Sequence, residues 1–157
     1  MTGEVVILGS GPAGAAAALL LTRWGHQVTV RTRRARHASM LVESIPPSTA
    51  KLIDLLGLRA AFDRAGFLRA SGNTVSWGGR AARVERFDAG EQGWHVARNR
   101  LEDVLISEMT SAGVSVLPAD TTSQDDESQF VLDCTGRAGA IARERRLRVY
   151  ELSLIHI

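Results

Sequence analysis

Lysine and cysteine are almost missing from this 157-residue chain, with Lys51 and Cys134 the sole examples. A single cysteine excludes an internal disulfide, no metal-ligand spacing accompanies it, and a reducing, cytoplasmic compartment is the simple inference. With one lysine the basic side rests on arginine, and the acids balance it to a formal +2. So small an excess argues against wholesale nucleic-acid binding. Long hydrophobic runs are also lacking. The apolar stretch Ala13–Leu21 is too short to span a bilayer, and Glu4 and a glycine turn precede it where a signal peptide would carry a basic flank. There is no internal repeat and no low-complexity linker, and the polar interval Ala119–Gln129 is the one loop-like stretch of any length. What is present is an ordinary globular composition, 45% apolar and 23% charged, enough for one core.

The β-branched run Glu4–Leu8 predicts a buried parallel strand, and Pro12 sits where a helix can begin, because its missing N–H would have had no partner there. That helix runs to about Trp24, Gly25 stops it, and Val28–Thr32 predicts a second strand. Ser48 is placed to cap a helix through Leu56 that Gly57 ends, and "RAAFDRAGF" extends the helical region around Phe62. Between Ser71 and Val96 strand-like pieces fall at Thr74–Trp77, Ala82–Phe87 and Trp94–Val96, with turns at Gly72, Gly78, Gly79, Gly90 and Gly93. Leu101, Val104, Leu105 and Met109 mark one face of a helix over Arg98–Ala112, followed by strands at Val114–Leu117 and Phe130–Cys134. The segment "TGRAGAIARERR" reads as a further turn into a helix. This alternation predicts an α/β fold, a mostly parallel sheet wound on both faces, with a small inserted β meander at about 66–97.

Gly9, Gly11 and Gly14 follow a strand and open a helix, the context in which a glycine pattern signals a dinucleotide. Gly9 permits the tight turn, Gly11 admits a pyrophosphate where a Cβ would stand, and Gly14 permits close packing of helix on strand. Pro12 and Ala13 lie in the first helical turn, where backbone N–H groups favour phosphate. The alternative is a tight turn with no ligand. About 20 residues on, where a ribose-binding carboxylate is expected, stands Thr32. It offers one hydrogen bond but not the charged bidentate contact. Arg31, Arg33 and Arg34 surround it, either to pair with a ribose phosphate, which would make the ligand NADP, or as a solvated turn.

Beyond the turn, "GSGPAG", "ESIPPS" at Glu43–Ser48, "GWHVARNRLEDVLISEM" at Gly93–Met109 and "FVLDCTGRAG" at Phe130–Gly139 occur in an order that resembles FAD-dependent oxidoreductases of the aromatic hydroxylase superfamily. The likeness is to the tryptophan-halogenase-like, geranylgeranyl-reductase-like and LodB-like branch, and it covers about Glu4–Arg145. It implies a Rossmann-like FAD/NAD(P)-binding fold in which Gly9, Gly11 and Gly14 hold the pyrophosphate and Arg33 lies by the adenosine. It also implies that Arg98 reaches the phosphate side, that the backbone around Thr135 and Gly136 passes near the cofactor, and that Glu43 falls in a segment close to the flavin ring. In the resembled family the second strand ends in Glu-Arg, so Thr32 departs from the pattern while Arg33 matches it.

The later Gly-Asp motif of that family has no match after Arg145, and no halogenase-type lysine can be placed, since Lys51 lies in the wrong segment. The expectation is therefore the incomplete FAD-binding part, residues 1–148, of a longer, monooxygenase-like flavoenzyme with NAD(P)H as electron donor and a small-molecule substrate. Residues 149–157, ending "ELSLIHI", are set apart as a non-native tail. The competing readings are an NADP-binding reductase domain and a non-catalytic truncated remnant.

Overall fold

The computed structural model describes residues 3–33, 41–77, 81–119 and 130–147. Arg34, Gly78, Gly79, the interval 120–129 and the tail 149–157 lie outside them. The chain divides into two compact units, one of Met1–Arg34 with Met109–Ile157, the other of Ala35–Glu108.

In the first unit β1 (Glu4–Leu8), β2 (Gln27–Thr32), β8 (Ser115–Pro118) and β9 (Phe130–Asp133) form a parallel sheet in the order β8-β2-β1-β9. Val5, Val6, Ile7, Val28 and Val30 are buried, and each such side chain removed from water contributes about 1.5–3 kcal/mol. Helix α1 (Pro12–Arg23) packs on β1 and β2 through Gly14, Ala15, Ala18 and Leu19. Its alanines combine high helix propensity with a small contact face, so the helix can lie close to the sheet. The sheet is not covered evenly: Phe130, Val131 and Leu132 of β9 are 60%, 41% and 37% exposed, which is unusual for a parallel strand. After β9 come a short 3-10 turn (Gly136–Ala138) and the five-residue helix α5 (Ala140–Glu144).

The second unit holds β3 (Val42–Ile45), α2 (Ala50–Leu55), α3 (Arg59–Ala65), β4 (Leu68–Ala70), β5 (Gly72–Val75), β6 (Arg83–Arg86), β7 (Gly93–Ala97) and most of α4 (Arg98–Ser111). Two elements differ from expectation. The strand pieces of 71–96 do not make one meander, because β5 and β6 pair only with each other while β7 lies between β3 and β4 in a separate antiparallel sheet. Strands β3 and β4 are four and three residues long, too short for an apolar alternation to register in the sequence. Ser48 does not cap α2 either. It sits inside a 3-10 turn, Pro47–Thr49, set by the Pro46-Pro47 pair, and no side chain caps the helix that follows.

Gly72 and Gly93 lie within strands, not turns; a Cβ at Gly93 would stand 2.6 Å from the Ile45 carbonyl oxygen, so glycine allows the close pairing of β7 with β3. The core of this unit is aromatic. Phe62 meets Phe67 and Trp94 edge to face, with ring centroids 5.3 and 5.8 Å apart. On α4, Leu101, Leu105 and Met109 are buried as the helical periodicity predicts, and Val104 is half-buried beside them.

Candidate cofactor site

Three strand ends converge at the carboxyl edge of the parallel sheet. Leu8 pairs with Arg31 on one side and Asp133 on the other. The ladder continues one residue further, Gly9 N–H donating to the Arg31 carbonyl and Cys134 N–H to the Leu8 carbonyl, each at 2.8 Å. In open parallel sheets this edge is where ligands bind.

The three glycines differ in what they permit. Gly9 has φ of +107°, a region L side chains rarely adopt, and a Cβ there would lie 2.4 Å from the Cys134 carbonyl oxygen. At Gly14 a Cβ would stand 1.9 Å from the carbonyl oxygen of Gly9. The helix is thus pressed against its own entry turn and the Cys134 side chain, a refinement of the expected packing of helix on strand. Gly11 is the opposite case. A Cβ there meets nothing within 4 Å, so no packing requirement of the described protein explains the absence of a side chain. Gly11 is the N-cap of α1, no side chain caps the helix, and its first turn carries no acid. Pro12 and Ala13 are exposed there. Open space, an uncapped helix start and no competing carboxylate together fit an anionic group such as a pyrophosphate.

Thr32 ends β2 within reach of this turn, and its Oγ1 shares a hydrogen bond with Ser10 Oγ, the residue between the first two glycines. The pairing ties the second strand's end to the turn. Sequence reasoning overlooked Ser10, although a hydroxyl in "GSG" was the available signal. The arginine cluster separates. Arg31 is buried at 7% exposure, which removes it from any solvated turn, while Arg33 is exposed just after the strand.

Thr135 and Gly136 follow β9. Here too a residue was overlooked: Asp133 organises the whole turn. Its carboxylate accepts hydrogen bonds from Thr135 Oγ1, from Thr135 N–H at 3.1 Å and from Ile141 N–H at 2.8 Å. These bonds, led by that of the Thr135 hydroxyl, hold its pKa below the ordinary carboxylate value, partly offset by burial. Thr135 Oγ1 in turn accepts from Ala140 N–H at 2.8 Å. The Asp-x-Thr spacing that makes such a turn was legible in "DCTG". Cys134 is half-buried, and burial, with the Asp133 charge second, raises its pKa and keeps it a thiol. Gly136 has φ of +61° and open space beside it.

Glu43 and Arg98 belong to the second unit, which brings them together across 55 residues of chain. Arg98 Nη1 lies 3.1 Å from Glu43 Oε1 and its Nε 3.2 Å from Glu102 Oε1, while its backbone N–H donates to the Leu41 carbonyl at 3.0 Å. The β3–β7 register causes this, since Glu43 opposes Val96, two residues before the helix begins. Side chains of both are more than two-fifths exposed, so the pair contributes at most about 1 kcal/mol. Among the described residues no group of His, Cys, Asp and Glu is arranged to hold a metal ion, and no helix is long and apolar enough to cross a membrane.

A parallel sheet with a glycine turn at its carboxyl edge, opening into an uncapped helix, defines a dinucleotide-binding protein of the doubly wound class. Residues 2–140 match the family described as FAD binding domain, and the chain belongs to that family. It is 30% identical to the tryptophan 2-halogenase of Chondromyces crocatus, over 90% of this chain and 31% of that protein. Among solved structures it is similar to the flavin-dependent halogenase CmlS, with a TM-score of 0.78 and 27% identity over 96% of this chain and 32% of that one. PqsL of Pseudomonas aeruginosa, a probable FAD-dependent monooxygenase, shares the fold with a TM-score of 0.68 at 19% identity, over 96% of this chain and 47% of that one. The chain thus spans about a third of the length of the halogenases it matches. FAD is the cofactor, as the family match and the likeness to flavin-dependent halogenases support.

Proposed function

We propose that this chain supplies the FAD-binding part of a monooxygenase-like flavoenzyme, with the pyrophosphate over Gly11, on the turn that the close packing of Gly14 against Gly9 shapes. The open space at Gly11 is the observation that carries this reading: a position with no packing reason to be glycine is explained by a ligand. The backbone N–H groups at the start of α1 would face the phosphates. Thr32, held by Ser10, and the exposed Arg33 would face the adenosine ribose. The Thr135-Gly136 backbone, fixed by Asp133, would line the same edge of the sheet. Arg98 is proposed for the phosphate side and Glu43 for the neighbourhood of the ring; their ion pair would hold the guanidinium in one orientation.

When bound, the flavin supplies hydride acceptance and reaction with oxygen, and the protein's part is to bind and orient it. NAD(P)H is the proposed electron donor and a small molecule the proposed substrate. The lone Cys134 supports a cytoplasmic setting. The competing NADP reading loses support because Arg31 is buried, leaving Arg33 as the one exposed arginine of the described cluster. Titration of the purified chain with FAD and with NADPH, followed by calorimetry, tests the proposal. FAD is expected to bind more tightly. Tighter NADPH binding that disappears in Arg33→Ala would replace the flavin reading with the reductase one.

A further inference from the structure

A pair of hydroxyls joins the glycine turn to the end of β2. Thr32 stands where a ribose-binding carboxylate is expected, and its Oγ1 lies 2.5 Å from the Oγ of Ser10, a residue 22 positions away in the chain. Both side chains are half-buried, and among the described residues neither hydroxyl has a second partner. The sheet makes no use of them, since Thr32 accepts from Ala119 N–H at 3.0 Å through its backbone carbonyl. Nor does an acid from elsewhere on this edge take their place. The Asp133 carboxylate is taken up by Thr135 and Ile141, and the first turn of α1 carries no acid.

Two oxygens this close have nearly the separation of the two oxygens of one carboxylate. They differ from it in charge and in protons. A carboxylate only accepts, so both hydroxyls of a ribose must donate to it. In the pair, whichever hydroxyl donates to the other, one O–H remains and each oxygen keeps a lone pair. One ribose hydroxyl can then donate to one oxygen of the pair while the other accepts from the remaining O–H.

We propose that Ser10 and Thr32 together replace the missing acid as a neutral reader of the ribose, each protein hydroxyl contacting one of the two ribose hydroxyls. Ser10 is thereby a binding residue in its own right, not only the tether of Thr32. The inference rests on the cofactor reading, because the ribose must lie at the end of β2 once the pyrophosphate is over Gly11.

NMR titration of the whole chain with ADP, 2′-deoxy-ADP and 3′-deoxy-ADP tests it, since ADP carries the ribose and diphosphate of FAD without the flavin. In wild type each deoxy analogue is expected to bind about five-fold more weakly than ADP, the loss of one neutral hydrogen bond. Ser10→Ala should make one analogue equal to ADP, and Thr32→Val should make the other equal. A general loss of fold lowers all three affinities alike and leaves these ratios unmoved. Equal binding of ADP and either analogue in wild type would overturn the inference. So would a Ser10→Ala variant that equalises both analogues, which reduces Ser10 to a support for Thr32, or one that equalises neither. Absence of ADP binding, or binding undiminished in Gly11→Val, would instead overturn the cofactor reading and this inference with it.

Discussion

At Gly11 and Gly14 the same residue type answers to two different constraints, and substitutions separate them. Gly14→Ala places a methyl 1.9 Å from a backbone oxygen that belongs to the turn itself, so either helix or turn must move. We expect a loss of about 1–3 kcal/mol in denaturant unfolding, the usual cost of overpacking. At Gly11 a Cβ meets no atom within 4 Å, and the cost of Gly11→Val should stay below about 1 kcal/mol, that of a poorer N-cap. FAD binding should nevertheless vanish in calorimetry, because the side chain fills the space the pyrophosphate needs. Retained affinity would make Gly11 purely structural. Thr32→Glu bears on the missing acid. A carboxylate at the end of β2 should tighten FAD by about 1–2 kcal/mol, the difference between charged and neutral hydrogen bonds. Unchanged affinity would place the ribose elsewhere.

Among the elements, α5 depends most on a single side chain. Five residues cannot sustain a helix alone, and Asp133 at the end of β9 supplies the N-terminal acceptor that the segment lacks. Asp133→Asn should cost about 1 kcal/mol and loosen the turn that carries Thr135 and Gly136. The sign of the pH effect follows from the lowered pKa. A carboxyl that is more acidic folded than unfolded stabilises above its unfolded value and loses that contribution as pH falls through the folded one. Wild-type stability should therefore decline more steeply than that of Asp133→Asn below about pH 4 in parallel urea titrations. Identical slopes would remove Asp133 from that role. The same elements show what was legible. Strand β1 and helix α4 follow from pattern alone, since each holds enough apolar residues for periodicity to register. Strands β3 and β4 do not, because their existence depends on a partner, β7, that lies far along the chain.

For the whole molecule, the cofactor and the fold are linked thermodynamically. A ligand that binds only the folded chain adds about 2.7 kcal/mol of apparent stability at a hundred-fold excess over its Kd. The melting temperature should rise with FAD concentration in wild type and stay flat in Gly11→Val. A flat response in wild type would mean that this chain, about a third of its halogenase relatives' length, does not bind the cofactor by itself.

The amino-acid sequence by itself determined the strand–turn–helix–strand unit, the place of the three glycines and the absence of the ribose acid. These are local, set by backbone sterics and by apolar spacing within about thirty residues. Tertiary structure alone decided that Gly11 faces open space while Gly14 does not, that Arg31 is buried, and that Glu43 meets Arg98. It also set the Ser10 hydroxyl against that of Thr32. The physical reason is common to all of these: burial, close approach and ion pairing depend on which distant segments become neighbours. In this chain strand register sets those neighbours, Glu43 opposite Val96 and Leu8 between Arg31 and Asp133, and no single segment encodes it.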